Sequence, residues 1–361
     1  MNRQQTTSKV LACLRTPLIV GVVMLHANLY NLVTQWSGEA PLWPAWLVFY
    51  FRNIVNILFP SCVAIFFLLA GYFFFTGEQK RNIAYFRDKL RRRVQTLLVP
   101  YLLWNTLALL LFYIKSSDFL GGLSQQSGED FSFAKYLTGY WAFYFSGDIP
   151  ANGPLWFVRD LMVVSLLSPL LYQFLRNRWL GVISLLVLFV CVSCGAAVDI
   201  HGVDFYSILF FSIGAWLRLQ RIDIQNVPKR VGVAAIALYF PISYFMFNLC
   251  DSPIYVALSL VATLIKFVAL IYLIAQLYSS RLLVNIPKLS QRSFFVYALH
   301  GLIIGPVIKI LYIMSGATEN PILLILISVF SVAVVIFMCN ITYTFTERRL
   351  PSLHKLLSGG R

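Results

Sequence analysis

Two residues that could do chemistry stand eleven apart in the first long apolar stretch of the chain, Arg15 and His26 in the run Leu14 to Leu32. At about 100° per residue, eleven steps make about 1100°, three turns and about 20°, so both side chains lie on one helical face about 16 Å apart. A neutral imidazole shielded from water can take a proton from a hydroxyl or amine, or itself carry a transferred group. A guanidinium three turns away can bind phosphate or meet developing negative charge. The structural alternatives are an interhelical hydrogen bond for His26 and snorkelling to the headgroups for Arg15. A second cationic set, Lys89, Arg91, Arg92 and Arg93, has the density needed to neutralise phosphates, and for each residue singly a role in topology or contact with anionic lipid accounts for it equally well. His300 can orient a substrate or make a structural hydrogen bond. Trp156 and Arg159 can meet a substrate at the mouth of a later span, with interfacial anchoring as the competing account of Trp156.

These residues must be positioned by helices in a membrane. The 361-residue chain is 59% hydrophobic, 16% aromatic and only 12% charged, with a mean hydropathy of +0.75. That is far more apolar than a soluble domain. Repeated apolar runs separated by polar loops fit transmembrane helices and not the dyad alternation of a barrel. A net charge of +15 would suggest nucleic acid, but the distribution of the charge excludes it.

Ten spans are expected, at about 12–33, 45–75, 94–114, 154–175, 179–198, 203–219, 231–249, 254–279, 293–314 and 321–345, all in one membrane-embedded domain. The second is long enough to hold a kink at Pro60, or a helix plus a re-entrant piece. Loops on one side carry 22 of the 29 lysines and arginines. Those on the other have only Lys115 and Lys135, yet hold Glu39, Asp118, Glu129, Asp130, Asp148, Asp199, Asp204, Asp251 and Glu319. The positive-inside rule then puts both termini in the cytoplasm, which needs an even number of spans. The first span is interrupted by His26 and Asn28 and has no small-residue cleavage site after it, so it is expected to stay attached.

The remaining signals are weaker. The outer segment Lys115 to Gly153 is rich in aromatics (Tyr136, Tyr140, Trp141, Phe143, Tyr144, Phe145), suited to stacking on sugars or to an interfacial belt. Cys191 and Cys194 are spaced for a disulfide, and nothing in the chain has the ligand pattern of a metal site. His201 and His354 lie in expected loops and receive no role.

Six local motifs, in order, resemble the acyltransferase-3 family of membrane acyltransferases. They are Arg15 with His26; Phe66-Phe67-Leu68-Leu69-Ala70-Gly71-Tyr72; the basic segment from Lys89 running to Val99-Pro100-Tyr101; Gly153-Pro154-Leu155-Trp156-Phe157-Val158-Arg159-Asp160; Ser293 to His300; and Thr346-Glu347-Arg348-Arg349. The resemblance implies transfer of an acyl group, usually acetyl, from cytoplasmic acyl-CoA to a hydroxyl or amine of a cell-surface glycan or its lipid-linked precursor, in the cytoplasmic (inner) membrane. It carries catalysis over to His26 and Arg15; from the residues themselves, donor binding is expected at Lys89, Arg91, Arg92 and Arg93, and contact with the acceptor at Trp156, Arg159 and His300. Neither a metal nor nucleic acid is implied. Two departures stand out: Ala70 replaces the family's usual Ser, and the Arg-x-x-Arg of the cytoplasmic loop is met only as Lys89-Leu90-Arg91-Arg92. Glu347 matches the family's terminal Glu, although beside Arg348 and Arg349 an interfacial ion cluster explains it most simply. The competing class is a transporter of a glycan or small solute.

Overall fold

The computed structural model describes residues 3–55, 59, 61–77, 81–116, 138–141, 149–197, 202–249, 252–279, 290–317 and 319–360. Pro60, His201, Cys250, the loop residues Lys80, Arg281 and Lys288, and Tyr136, Phe143, Tyr144 and Phe145 of the outer segment lie outside the described residues. Within them all regular structure is helical and there is no strand. Helix α1 is Arg3–His26 and α2 is Leu29–Ser37. Helix α3 (Ala45–Phe49) runs on as a π-helix, Tyr50–Val55, and α4 is Ser61–Phe74. Helix α5 (Ile83–Arg93), a π-helical step (Val94–Leu98) and α6 (Val99–Ser116) follow without a break. A 3-10 turn, Gly153–Leu155, opens α7 (Trp156–Leu175). Then come α8 (Arg178–Ser193), α9 (Phe205–Leu219), α10 (Lys229–Asn248) and α11 (Tyr255–Ser279). The chain ends with α12 (Ser293–Met314), α13 (Pro321–Arg349) and a short α14 (Pro351–Ser358).

Each expected span has helix within its bounds. Six stretches, Leu11–Ser37, Ile83–Ile114, Gly153–Leu175, Tyr255–Tyr278, Ser293–Met314 and Pro321–Arg349, are long and apolar enough to cross a bilayer, and α4, α8 and α9 are shorter apolar helices. The burial pattern agrees: Leu166, Leu186, Phe240, Phe330 and Phe337 face outward, whereas Asn105, Ser165, Ser168, Ser328, Ser331 and His300 are buried. Polar groups inside and large apolar side chains outside are what a lipid solvent selects. The protein is an all-α, polytopic membrane protein.

Three features depart from the sequence reading. Span one is broken: α1 stops at His26 and Asn28 caps α2, its side chain accepting from the Asn31 N–H at 3.3 Å. The basic segment is not a loop. Asn82 caps α5 by accepting from the Tyr85 N–H at 3.0 Å, and the Leu, Arg and Lys that follow are good helix formers, so Lys89 to Arg93 share one rod with span three. Cys191 and Cys194 are both free thiols.

Helices α4 and α9 cross in close contact. A Cβ placed on Gly71 would lie 2.0 Å from the Phe211 carbonyl oxygen, and one on Gly214 only 1.8 Å from that of Leu68. Two glycines let the backbones touch, so the glycine of the Phe66 to Tyr72 motif serves packing. The crossing fixes the depth and tilt of α4, which carries residues on both sides of the candidate site.

Candidate active site

The break in span one places His26. With Ala27 and Asn28 out of the helix, backbone groups in the membrane interior need partners, and they find them on other spans. The Ser328 hydroxyl donates to the Ala27 carbonyl at 2.5 Å, and the Asn28 amide donates to the Phe51 carbonyl at 2.8 Å. Phe51 lies in the π-helical segment, a feature that recurs at functional sites. The end of α1 is thus held from α13 and from the π-turn, and its last side chain is His26.

His26 meets His300. Their ring centroids are 5.2 Å apart with planes inclined at 54°, so residues 274 positions apart share one site. His300 is completely buried, and its Nδ1 lies 3.2 Å from the Val296 carbonyl. A carbonyl only accepts, so Nδ1 carries the proton and Nε2 keeps its lone pair. That Nε2 is buried without a hydrogen-bond partner. The helical i−4 bond fixes the ring, and a bare imidazole nitrogen is left beside a second imidazole.

From this pair an aromatic path links the motifs. Tyr297 is 5.8 Å from His300 and Phe157 is 5.7 Å from Tyr297. Phe67 is 4.5 Å from Phe157 and 6.2 Å from Trp156. The Tyr297 hydroxyl donates to the Pro154 carbonyl. Asn152 donates through its side-chain amide to Ala298 O at 2.9 Å and through its backbone N–H to Asn105 Oδ1 at 2.9 Å. A Cβ on Gly301 would lie 2.7 Å from the Pro154 ring, so that glycine lets the Gly153–Leu155 turn press on α12. The Asn152 side-chain oxygen is buried without a partner. Asn105 and Asn152, which sequence reading missed, act as the bracket of the site; the signal was an asparagine in each of two apolar surroundings.

At the other end of α4, cations surround its last turn. Arg15 stacks over Phe73 (5.8 Å), Lys89 and Arg93 both over Phe74 (5.8 and 5.6 Å), and Arg218 over Tyr72 (5.6 Å). None of these four has a carboxylate partner among the described residues. The Tyr85 hydroxyl donates to Phe74 O at 2.7 Å and Arg81 donates to Phe75 O at 3.2 Å, tying the basic helix to α4. Within the basic set, Lys89 and Arg93, four apart, turn to one ring, while Arg91 and Arg92 are exposed. The inward pair is therefore spaced Lys-x-x-x-Arg. Because α1 is unbroken between Arg15 and His26, the cationic end and the histidine pair are about 16 Å apart.

Trp156 and Arg159 differ in placement. Trp156 is half-buried on the aromatic path. Arg159 is buried, paired with Asp160 at 2.9 Å and donating to the Trp141 carbonyl at 2.8 Å. It is engaged inside the bundle and not open at a mouth. Glu347 is exposed and forms no ion pair with Arg348 or Arg349. His354, given no role from sequence, is buried in α14, bonded to Thr346 at 3.0 Å and set edge-on to Tyr343.

Comparison with known proteins identifies the family. The acyltransferase domain model matches residues 10–340, which includes Arg15, His26, the basic helix and His300 and ends before Glu347. The chain is also 26% identical over 365 residues, 96% of its own length and 91% of the relative's, to the succinoglycan biosynthesis protein ExoH of Rhizobium meliloti (strain 1021). No solved structure matches. With the domain matched over nearly its whole length on a bundle of apolar helices, the chain belongs to the acyltransferase-3 family and is a membrane acyltransferase.

Proposed function

We propose that the protein, as one membrane-embedded domain of the cytoplasmic membrane, moves an acyl group, acetyl in the first instance, from cytoplasmic acyl-CoA to a hydroxyl or amine of a glycan or its lipid-linked precursor. The observation that carries this reading is the meeting of His26 and His300 at 5.2 Å, about 16 Å above the cations at the end of α4. The nucleotide phosphates of the donor meet Lys89, Arg93 and Arg15, with Arg91 and Arg92 adding charge at the entrance. The pantetheine arm then spans the distance to the histidines. His26 takes the proton of the acceptor hydroxyl as its oxygen attacks the thioester carbonyl, and the departing CoA thiolate receives that proton. His300 Nε2 supplies a fixed acceptor that orients the incoming hydroxyl or His26 itself. Trp156 and Arg159 shape the acceptor side, Arg159 through its bond to Trp141. A glycan acceptor is supported by the relative's name, which places that protein in succinoglycan biosynthesis.

The test is transfer or hydrolysis of labelled acetyl-CoA, and of other acyl-CoA donors, by purified protein in proteoliposomes. His26→Ala should lower turnover by about 10²- to 10⁴-fold, the range for loss of a general base, with the variant's folding checked by thermal melting. Full turnover in a folded His26→Ala protein removes that residue from catalysis. No acyl chemistry by wild type with any acyl-CoA removes the donor assignment.

A further inference from the structure

The pair Arg348 and Arg349 does not associate with Glu347, and the structure shows what those arginines line. With Arg292, the residue that precedes α12, they border an open groove of ≈ 530 Å³ along the C-terminal half of α13. Arg292 is held in place from two sides. Its Nη1 donates to Asn340 Oδ1 at 3.1 Å, and its guanidinium stacks 4.8 Å over the Tyr343 ring. The rest of the groove is mainly apolar: Phe337, Ile341 and Phe345 occur every fourth residue of α13, on one stripe that continues to Arg349. They are 66%, 53% and 57% exposed, respectively. The stripe spans nine residues, eight steps and about 12 Å of helix, and leads away from the arginines into the apolar part of the span. None of the three arginines has a carboxylate partner among the described residues.

We infer that this groove binds an anionic phospholipid, with the phosphate among Arg292, Arg348 and Arg349 and an acyl chain along Phe337, Ile341 and Phe345. Arginine forks match phosphate oxygens bidentately, and basic clefts between helices at the cytoplasmic face suit lipid phosphates. A free phosphate would need only the arginines. The apolar stripe beginning at the same arginines selects a ligand with a tail. The site is separate from the histidine pair and from the cations around α4, and it does not depend on the acyl-transfer reading.

The experiment is native mass spectrometry of the full-length protein after equilibration with mixed phosphatidylglycerol and phosphatidylcholine vesicles, with glycerol phosphate added as a competitor in a second arm. Wild type should retain phosphatidylglycerol preferentially, and each of Arg348→Gln and Arg349→Gln should reduce that preference about five-fold, as expected for about 1 kcal/mol per arginine. Arg292→Gln is informative only with a melting control, since Arg292 also braces the start of α12. Phe337→Ser with Ile341→Ser should weaken retention while leaving the charge intact. Equal retention of both lipids by wild type, or unchanged preference in the Arg348 and Arg349 variants, overturns the site. Full displacement by glycerol phosphate, or no effect of the double serine variant, overturns the lipid assignment in favour of a soluble phosphate.

Discussion

The α4–α9 crossing sets up the most quantitative test of how the fold holds the site. In Gly71→Ala the new methyl carbon starts 2.0 Å from the Phe211 oxygen and 2.8 Å from its carbon, where ordinary contact begins at 3.4 Å. Backbone atoms cannot swing aside as a side chain can, so the helices must separate by about 1 Å or more. Overpacking of this kind costs about 1–3 kcal/mol, and detergent-solubilised protein should melt several degrees lower. The functional loss should exceed the stability loss. Helix α4 carries Phe67 against Trp156 and Phe157 and, at its far end, the rings that hold Arg15, Lys89 and Arg93. A displacement near 1 Å at a reacting geometry can cost about 10²-fold. Gly214→Ala should behave alike, since its methyl carbon would start 1.8 Å from the Leu68 oxygen. Because both substitutions wedge one interface, the double variant should cost less than the sum of the two. The assay is a thermal melt paired with acyl-CoA turnover, with Ala70→Gly as the neighbouring control. A Gly71→Ala protein with wild-type melting and turnover refutes the close-approach argument.

Other outcomes follow from single contacts. Ser328→Ala strands the Ala27 carbonyl and should cost about 1–3 kcal/mol; turnover should fall more steeply than that of Ser331→Ala, whose hydroxyl bonds only within its own helix. Lys89→Ala and Arg93→Ala should each raise the KM for acyl-CoA about ten-fold with little change in kcat, while Arg92→Ala stays within about two-fold, read by steady-state kinetics. An equal effect of all three would remove the distinction between inward and outward cations. Tyr297→Phe loses only the bond to the Pro154 carbonyl and should cost about 0.5–1.5 kcal/mol of stability, measured by the same melt.

Hydropathy and loop charge made the spans legible, because a lipid solvent writes them as long apolar runs. Arg15 and His26 were legible for the same reason: an ionisable residue is conspicuous in such a run. What the sequence hid was mostly contact between distant spans. Nothing local announces that His300 lies against His26, that Asn152 reaches Ala298, or that Ser328 closes the break after His26. The break itself was half visible, since Asn28 interrupts the run, but a capping asparagine in a membrane looks the same as a polar residue facing a cavity. Continuation of the basic segment as helix was within reach, because Asn82 precedes a run of good helix formers; the density of charge suggested a loop. Spacing on that helix decides which cations turn inward, and periodicity alone does not say which face meets Phe74.

The bond from Ser328 to Ala27 crosses 301 positions, and that separation has a consequence for biosynthesis. The chain is made from its N-terminus, so span one enters the membrane with a histidine, an arginine and an unpaired carbonyl while the helices that satisfy them do not yet exist. His300 and Ser328 arrive only with α12 and α13. Until then the first span must remain beside water, protein or the insertion machinery, because lipid offers its polar groups nothing. Assembly of the histidine pair is accordingly among the last events in making the protein, and a chain cut short before Pro321 leaves the break after His26 without the hydroxyl that closes it.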